Sequence, residues 1–177
     1  MPCTKCAAED HTAKTCPEIT ETFQIHLSDE VKMKLKILIE ILEEVAKTLK
    51  KGRVEGVYQN AILHELQAMD IRYTREETIP IMYKGNYVGQ ERLDIILHSW
   101  LDIIFELKAV AGDIKPEHHW QVLSYMHSKQ YKYGIVVNFS QSPNKPMAYS
   151  LVIIHEDKSY IYDLSTGQGI LMKDYEY

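Results

Sequence analysis

The sequence predicts an α/β fold, a sheet flanked by helices on both faces. Three observations predict it. Two segments with apolar residues at helical spacing open the body of the chain, strand-like segments separated by turn residues fill its middle, and a third helical segment leads into a wholly apolar run, "YGIVVNF". A short strand apolar on both sides belongs in the centre of a sheet covered on both faces.

The elements follow in order. Ser28 is suited to an N-cap, with Asp29 and Glu30 in the first turn, and Val31, Leu35, Leu38, Leu42, Val45 and Leu49 form one apolar stripe. That spacing predicts a helix of about six turns ending near Lys50-Lys51-Gly52. A second helix is expected over about Val54–Met69, with Val57, Ala61, Ile62, Leu66 and Met69 as its core face. Strands are expected over "IRYTREETIPIMY", then, after a turn at Lys84-Gly85-Asn86, over "YVGQERLDIIL", and after a break at "HSW" over "LDIIFELKAV". "KPEHHWQVLSYMHSK" reads as a helix with Pro116 in its first turn, and "AYSLVIIHEDKSYIYDL" as a closing hairpin.

Composition bounds the function. A chain of 177 residues, 45% hydrophobic and 25% charged, can bury one main core. Its formal net charge of -5 argues against coating nucleic acid by bulk attraction but permits a locally basic groove. No apolar run approaches the roughly 20 residues of a membrane span, and the N-terminus lacks the apolar core of a signal peptide. A soluble, intracellular protein, cytoplasmic or nuclear and with no membrane partner, is expected.

All three cysteines fall in the first sixteen residues. With His11 they give C-x2-C-x4-H-x4-C through Cys3, Cys6, His11 and Cys16, three thiolates and an imidazole suited to tetrahedral Zn²⁺. This resembles the CCHC zinc knuckle. Knuckles of that kind hold single-stranded nucleic acid with aromatic side chains, but here Thr4 and Thr12 stand in those places, and Ala7 and Asp10 replace the usual glycines. Zinc binding is therefore expected ahead of base contacts.

The segment "RLDIILHSWLDIIFELKAV" raises the chemical question, because Asp94, Glu106 and Lys108 interrupt strands that are otherwise apolar. Residues two apart on a strand share a face, so Glu106 and Lys108 project together. A hairpin turn near Ser99 brings Asp94 level with Glu106. Facing carboxylates repel unless a cation or a proton stands between them, and a hard divalent ion, Mg²⁺ or Mn²⁺, suits such oxygen ligands, with the Leu107 main-chain carbonyl as a further donor. A lone E-x-K pair is more often a solvated surface pair; the added Asp94, Glu55 and Gln121 weigh toward a site. Glu65, ten residues from Glu55 on the same predicted helix, remains the competing helical acid.

The pattern Asp94-x11-Glu106-x-Lys108, with Glu55 on the preceding helix and Gln121 and Tyr125 on the following one, resembles the PD-(D/E)xK nuclease superfamily. Gly52-Arg53-Val54-Glu55-Gly56-Val57-Tyr58 resembles the namesake motif of its GxxExxY proteins. Leu93 stands in the place of the motif's proline. The resemblance implies a restriction-endonuclease-like core and a metal-dependent phosphodiesterase acting on nucleic acid, DNA first. Asp94, Glu106 and the Leu107 carbonyl would hold the metal; Lys108, Glu55 and Gln121 would complete the catalytic set; Arg53, Tyr58 and Tyr125 would bind substrate. Glu55 belongs to the matched motif, which favours it over Glu65. The corresponding organisation is a knuckle at 1–18, a connector at 19–27 and a nuclease-like domain at 28–177. A homodimer through the long first helix is compatible with its apolar stripe. The alternative is a catalytically inactive nucleic-acid-binding or scaffold protein on the same fold.

Overall fold

The computed structural model describes residues 22–172; Cys3, Cys6, His11 and Cys16 lie outside them. The described chain runs β1 (Thr22–Gln24), α1 (Asp29–Leu49), α2 (Glu55–Ala68), β2 (Tyr73–Tyr83), β3 (Asn86–Leu97), β4 (Ile103–Lys108), α3 (Pro116–Lys129), β5 (Tyr133–Asn138), β6 (Ala148–His155), β7 (Lys158–Asp163) and β8 (Gln168–Leu171). The strands form one mixed sheet in the order β1-β8-β7-β6-β5-β4-β3-β2. Among the described strands only β4 and β5 pair in parallel, joined across one face by α3. None of the described helices is long and apolar enough to cross a membrane.

The helix starts and stops follow from local chemistry. Ser28 accepts a hydrogen bond from the Val31 amide at 3.3 Å, relieving one of the unpaired donors at the start of α1. Leu35, Leu38, Ile39, Ile41, Leu42 and Val45 then bury one face of that helix. Its end is marked by Lys50 (φ 57°) and Gly52 (φ 88°), left-handed positions that a helix cannot continue through.

The face that α2 buries includes Ile62 and Leu66 as expected but turns from Val57 and Met69 toward Tyr58. Tyr58, Ile62 and Leu66 point into the core with Gln59 and Leu63, whereas Val57 and Met69 are exposed. The two stripes lie side by side on the helix, and packing against α1 and the sheet selects the one carrying tyrosine.

Helices cover both faces. With α1 and α2 pack Ile95, Leu97, Ile103, Phe105, Leu107, Ile135, Val137, Leu151 and Ile153. Against α3 pack Leu93, Ile96, Ile104, Val136 and Val152. Burying each such aliphatic side chain stabilises the fold by about 1.5–3 kcal/mol relative to exposure. Leu93, at the motif's proline position, is fully buried in the second layer.

One expected boundary is corrected. Within the connector expected at 19–27, Thr22–Gln24 is the edge strand β1, antiparallel to β8, and Ile25 is buried with its amide bonded to the Gly167 carbonyl at 2.9 Å. Three residues are too few to display a strand period, and their partner lies at the far end of the chain.

Candidate active site

The site begins where two strands part. β3 and β4 pair through Leu97↔Ile103, Ile96↔Ile104 and Ile95↔Phe105, and their ladder ends there although both strands continue. The next step of the register sets Asp94 level with Glu106. Instead of a ladder bond, the Asp94 carboxylate accepts the Leu107 amide at 2.7 Å, while the Asp94 carbonyl accepts from Gln59 Nε2 at 3.0 Å. A strand residue turns its amide and carbonyl toward the same neighbour, so the Leu107 carbonyl faces this gap as well.

Glu106 is buried, and Lys108, two residues on, donates to its Oε1. Glu106 Oε2 is buried with no hydrogen-bond partner among the described residues. A buried carboxylate oxygen without a partner is costly. Burial, then the charge of Asp94, pushes the Glu106 carboxyl up to about 7 against the opposing pull of Lys108. Asp94 is also raised, chiefly by burial, although the Leu107 amide, Lys108 and Arg92 act to lower it.

Glu55, in the first turn of α2, joins the same electrostatic group. Its carboxyl is raised by partial burial and by Asp94, with Lys108 and Arg92 opposing.

On the α3 side the cleft, about 530 Å³, is lined by Arg92, Asp94, Glu106, Trp120, Gln121 and Tyr125 among others. Gln121 Nε2 donates to the Tyr125 hydroxyl at 2.8 Å. Burial pushes the Tyr125 phenol up to about 12, so it stays protonated and its own hydrogen remains available to an acceptor in the cleft.

One expected substrate contact is corrected. Tyr58 is 1% exposed, stacks on Phe139 with ring centroids 4.3 Å apart, and donates its hydroxyl to the Lys50 carbonyl at 2.6 Å. It closes the end of α1 and leaves no surface for a ligand. Arg53 is exposed between α1 and α2. The neighbouring Lys51 binds the Ser142, Pro143 and Lys145 carbonyls and so holds a loop. Arg92 is the cationic lining residue that the sequence reading passed over. Its signal was available, because Arg92 and Asp94 are two apart on one strand.

The residues from Gly52 to Tyr58 thus divide their tasks. Gly52 takes a left-handed turn and donates its amide to Gln141 Oε1 at 2.7 Å, Tyr58 anchors the loop, and Glu55 is presented to the acids.

Residues 32–149 match the family described as the PD-(D/E)XK nuclease superfamily. The chain belongs to that superfamily. No curated protein matches the chain. Among solved structures the chain is similar to one described as "Crystal structure of SSO0001", at 16% identity and a TM-score of 0.44, covering 78% of this chain and 66% of that one. Superfamily membership suggests a nuclease, and the superfamily usually uses Mg²⁺ or Mn²⁺.

The donor set fits such an ion. Asp94, the free Glu106 oxygen and the Leu107 carbonyl are all oxygen donors, and burial raises the carboxyls of Asp94, Glu106 and Glu55. Among the described residues no three His, Cys, Asp or Glu side chains stand together as a complete cage.

Proposed function

We propose that the protein is a metal-dependent nuclease, with DNA as its first candidate substrate, and that Asp94, Glu106, Lys108, Glu55, Gln121 and Tyr125 form its site. The observation that carries this reading is the convergence of Asp94, Glu106 and Lys108 at the β3–β4 parting, with one buried Glu106 oxygen unpartnered.

Asp94, Glu106 and the Leu107 carbonyl would hold Mg²⁺ or Mn²⁺, which when bound supplies Lewis acidity at a phosphoryl oxygen and acidifies water. Lys108 has two tasks available, orienting the attacking water and stabilising negative charge that develops on the phosphate. Arg92, already in the cleft, supplies a planar donor for a backbone phosphate. The Tyr125 hydroxyl, held by Gln121, donates to substrate while remaining protonated. Glu55 meets the acids from the opposite face of the sheet and suits a contact through water. Cys3, Cys6, His11 and Cys16 would bind Zn²⁺ as a separate element, and zinc lost from Cys6→Ser would support that assignment.

The test is hydrolysis of labelled single-stranded, duplex and branched DNA and RNA with Mg²⁺ or Mn²⁺. Wild-type cleavage lost in both Asp94→Asn and Lys108→Ala supports the reading. Cleavage unaffected by both would assign the activity elsewhere, and nucleic-acid binding without cleavage would favour the inactive alternative.

A further inference from the structure

Strands β2 and β3 both turn over at one level of the sheet. Residues two apart on a regular strand share a face, yet Ile95 packs with α1 and α2 whereas Leu93 packs with α3. On β2 the same inversion separates Arg75, which donates to Asn60 of α2 at 3.0 Å, from Glu77, which pairs with Lys129 of α3. The register Arg75↔Ile95 and Glu77↔Leu93 sets Glu76 and Asp94 at the level between.

Glu76 carries the strain of this inversion, with a left-handed φ of 53° inside a strand. Glycine or asparagine enters that region more easily than glutamate, and strain kept in this way gathers at functional sites. The carboxylate lies between two guanidinium groups. One oxygen is 3.3 Å from Arg75 Nη2 and the other 3.7 Å from Arg92 Nη1. Since Arg75 is itself bonded to α2, Glu76 moors Arg92 to a fixed point on β2.

Arg92 has a second acid within reach. It pairs with Thr78, two residues along from the level of inversion, at equal strand distance from Glu76 and from Asp94. Its side chain is 65% exposed, it lines the cleft with Asp94 and Glu106, and its charge already acts on the carboxyls of Asp94 and Glu55. The acids therefore compete for one guanidinium. Arginine pairs readily with carboxylates, and acids paired in that way are closed to a metal ion.

We infer that Glu76 is a positioning residue that holds Arg92 off Asp94 and Glu106, keeping those acids open to a divalent cation. The inference rests on the proposed cation site, to which Glu76 itself adds no ligand.

Mn²⁺ titration of the full chain, followed by electron paramagnetic resonance, tests it in wild type, Glu76→Asn, Arg92→Ala and the double variant. Asparagine tolerates the left-handed backbone, so Glu76→Asn keeps the fold and removes the charge. It should weaken Mn²⁺ binding about two- to fivefold, the size of one exposed ion pair. In the Arg92→Ala background the same substitution should have no effect. Unchanged affinity in Glu76→Asn would overturn the inference. So would equal weakening in both backgrounds, because Glu76 would then act on the ion without Arg92. A crystal structure of metal-free Glu76→Asn gives a readout that needs no ion: the Arg92 guanidinium is expected against Asp94 or Glu106, and a guanidinium still directed at position 76 would overturn the inference. Wild type that binds no Mn²⁺ removes the cation site, and the crystal structure then decides whether Glu76 moors Arg92.

Discussion

The Asp94 carboxylate accepts the Leu107 amide at 2.7 Å, at the point where β3 stops pairing with β4. One side chain thus performs a structural and a chemical task. It satisfies an amide left free by the parting strands, and it holds a negative charge beside Glu106.

Those tasks separate by substitution. Asp94→Asn keeps an acceptor for the Leu107 amide but removes the charge. Cleavage should be lost while urea denaturation shows near wild-type stability. Asp94→Ala leaves the amide unpaired and should cost about 1–3 kcal/mol in the same measurement.

Glu106 gives the metal-free protein a pH dependence of defined sign. Its folded carboxyl titrates near 7, above the ordinary 4.5, so the folded state holds the proton more tightly than the unfolded chain. Stability is therefore greatest below about 4.5 as far as this group is concerned and declines as pH rises toward 7, by roughly 3 kcal/mol at most. Denaturation in EDTA between pH 5 and 8 should show this slope in wild type and a flatter one in Glu106→Gln. Divalent-ion affinity should rise across the same interval, because binding displaces the proton.

Tyr58 should behave as a packing residue. Tyr58→Phe loses the bond to the Lys50 carbonyl and should cost about 1 kcal/mol with catalytic rate preserved. Tyr58→Ala also removes the stack on Phe139 and should cost about 3–5 kcal/mol by thermal or chemical denaturation.

Gly134 controls the seating of α3. A Cβ there would collide with Val122 and stand 2.8 Å from Met126 Sδ, both on the helix that carries Gln121 and Tyr125. Gly134→Ala should destabilise by about 1–3 kcal/mol and raise KM through displacement of that helix, as measured by melting and steady-state cleavage.

Much of this arrangement is legible in the sequence because local rules specify it. The turn at Lys84-Gly85 closes the β2–β3 hairpin, whose register shifts by a bulge at Ile81/Met82, and the level placement of Asp94 and Glu106 follows from the short link near Ser99, which takes a left-handed φ of 69°. Strands β1 and β8 were not legible, since three and four residues carry too little alternation and depend on each other across the chain. The inward face of α2 was read as the stripe through Val57 and Met69, next to the one it buries, and that reading misplaced Tyr58. His119 lies buried on α3, with its imidazole pKa lowered by burial.

The claim on which the account turns is that Asp94 and Glu106 share one divalent cation. Mn²⁺ titration followed by electron paramagnetic resonance tests it most directly, using wild type, Asp94→Asn and Glu106→Gln with residues 1–18 removed by a protease-cleavable insertion after folding so that zinc ligands do not contribute. One bound Mn²⁺ in wild type, lost in each variant, is the predicted result. Equal Mn²⁺ binding in all three proteins would contradict it.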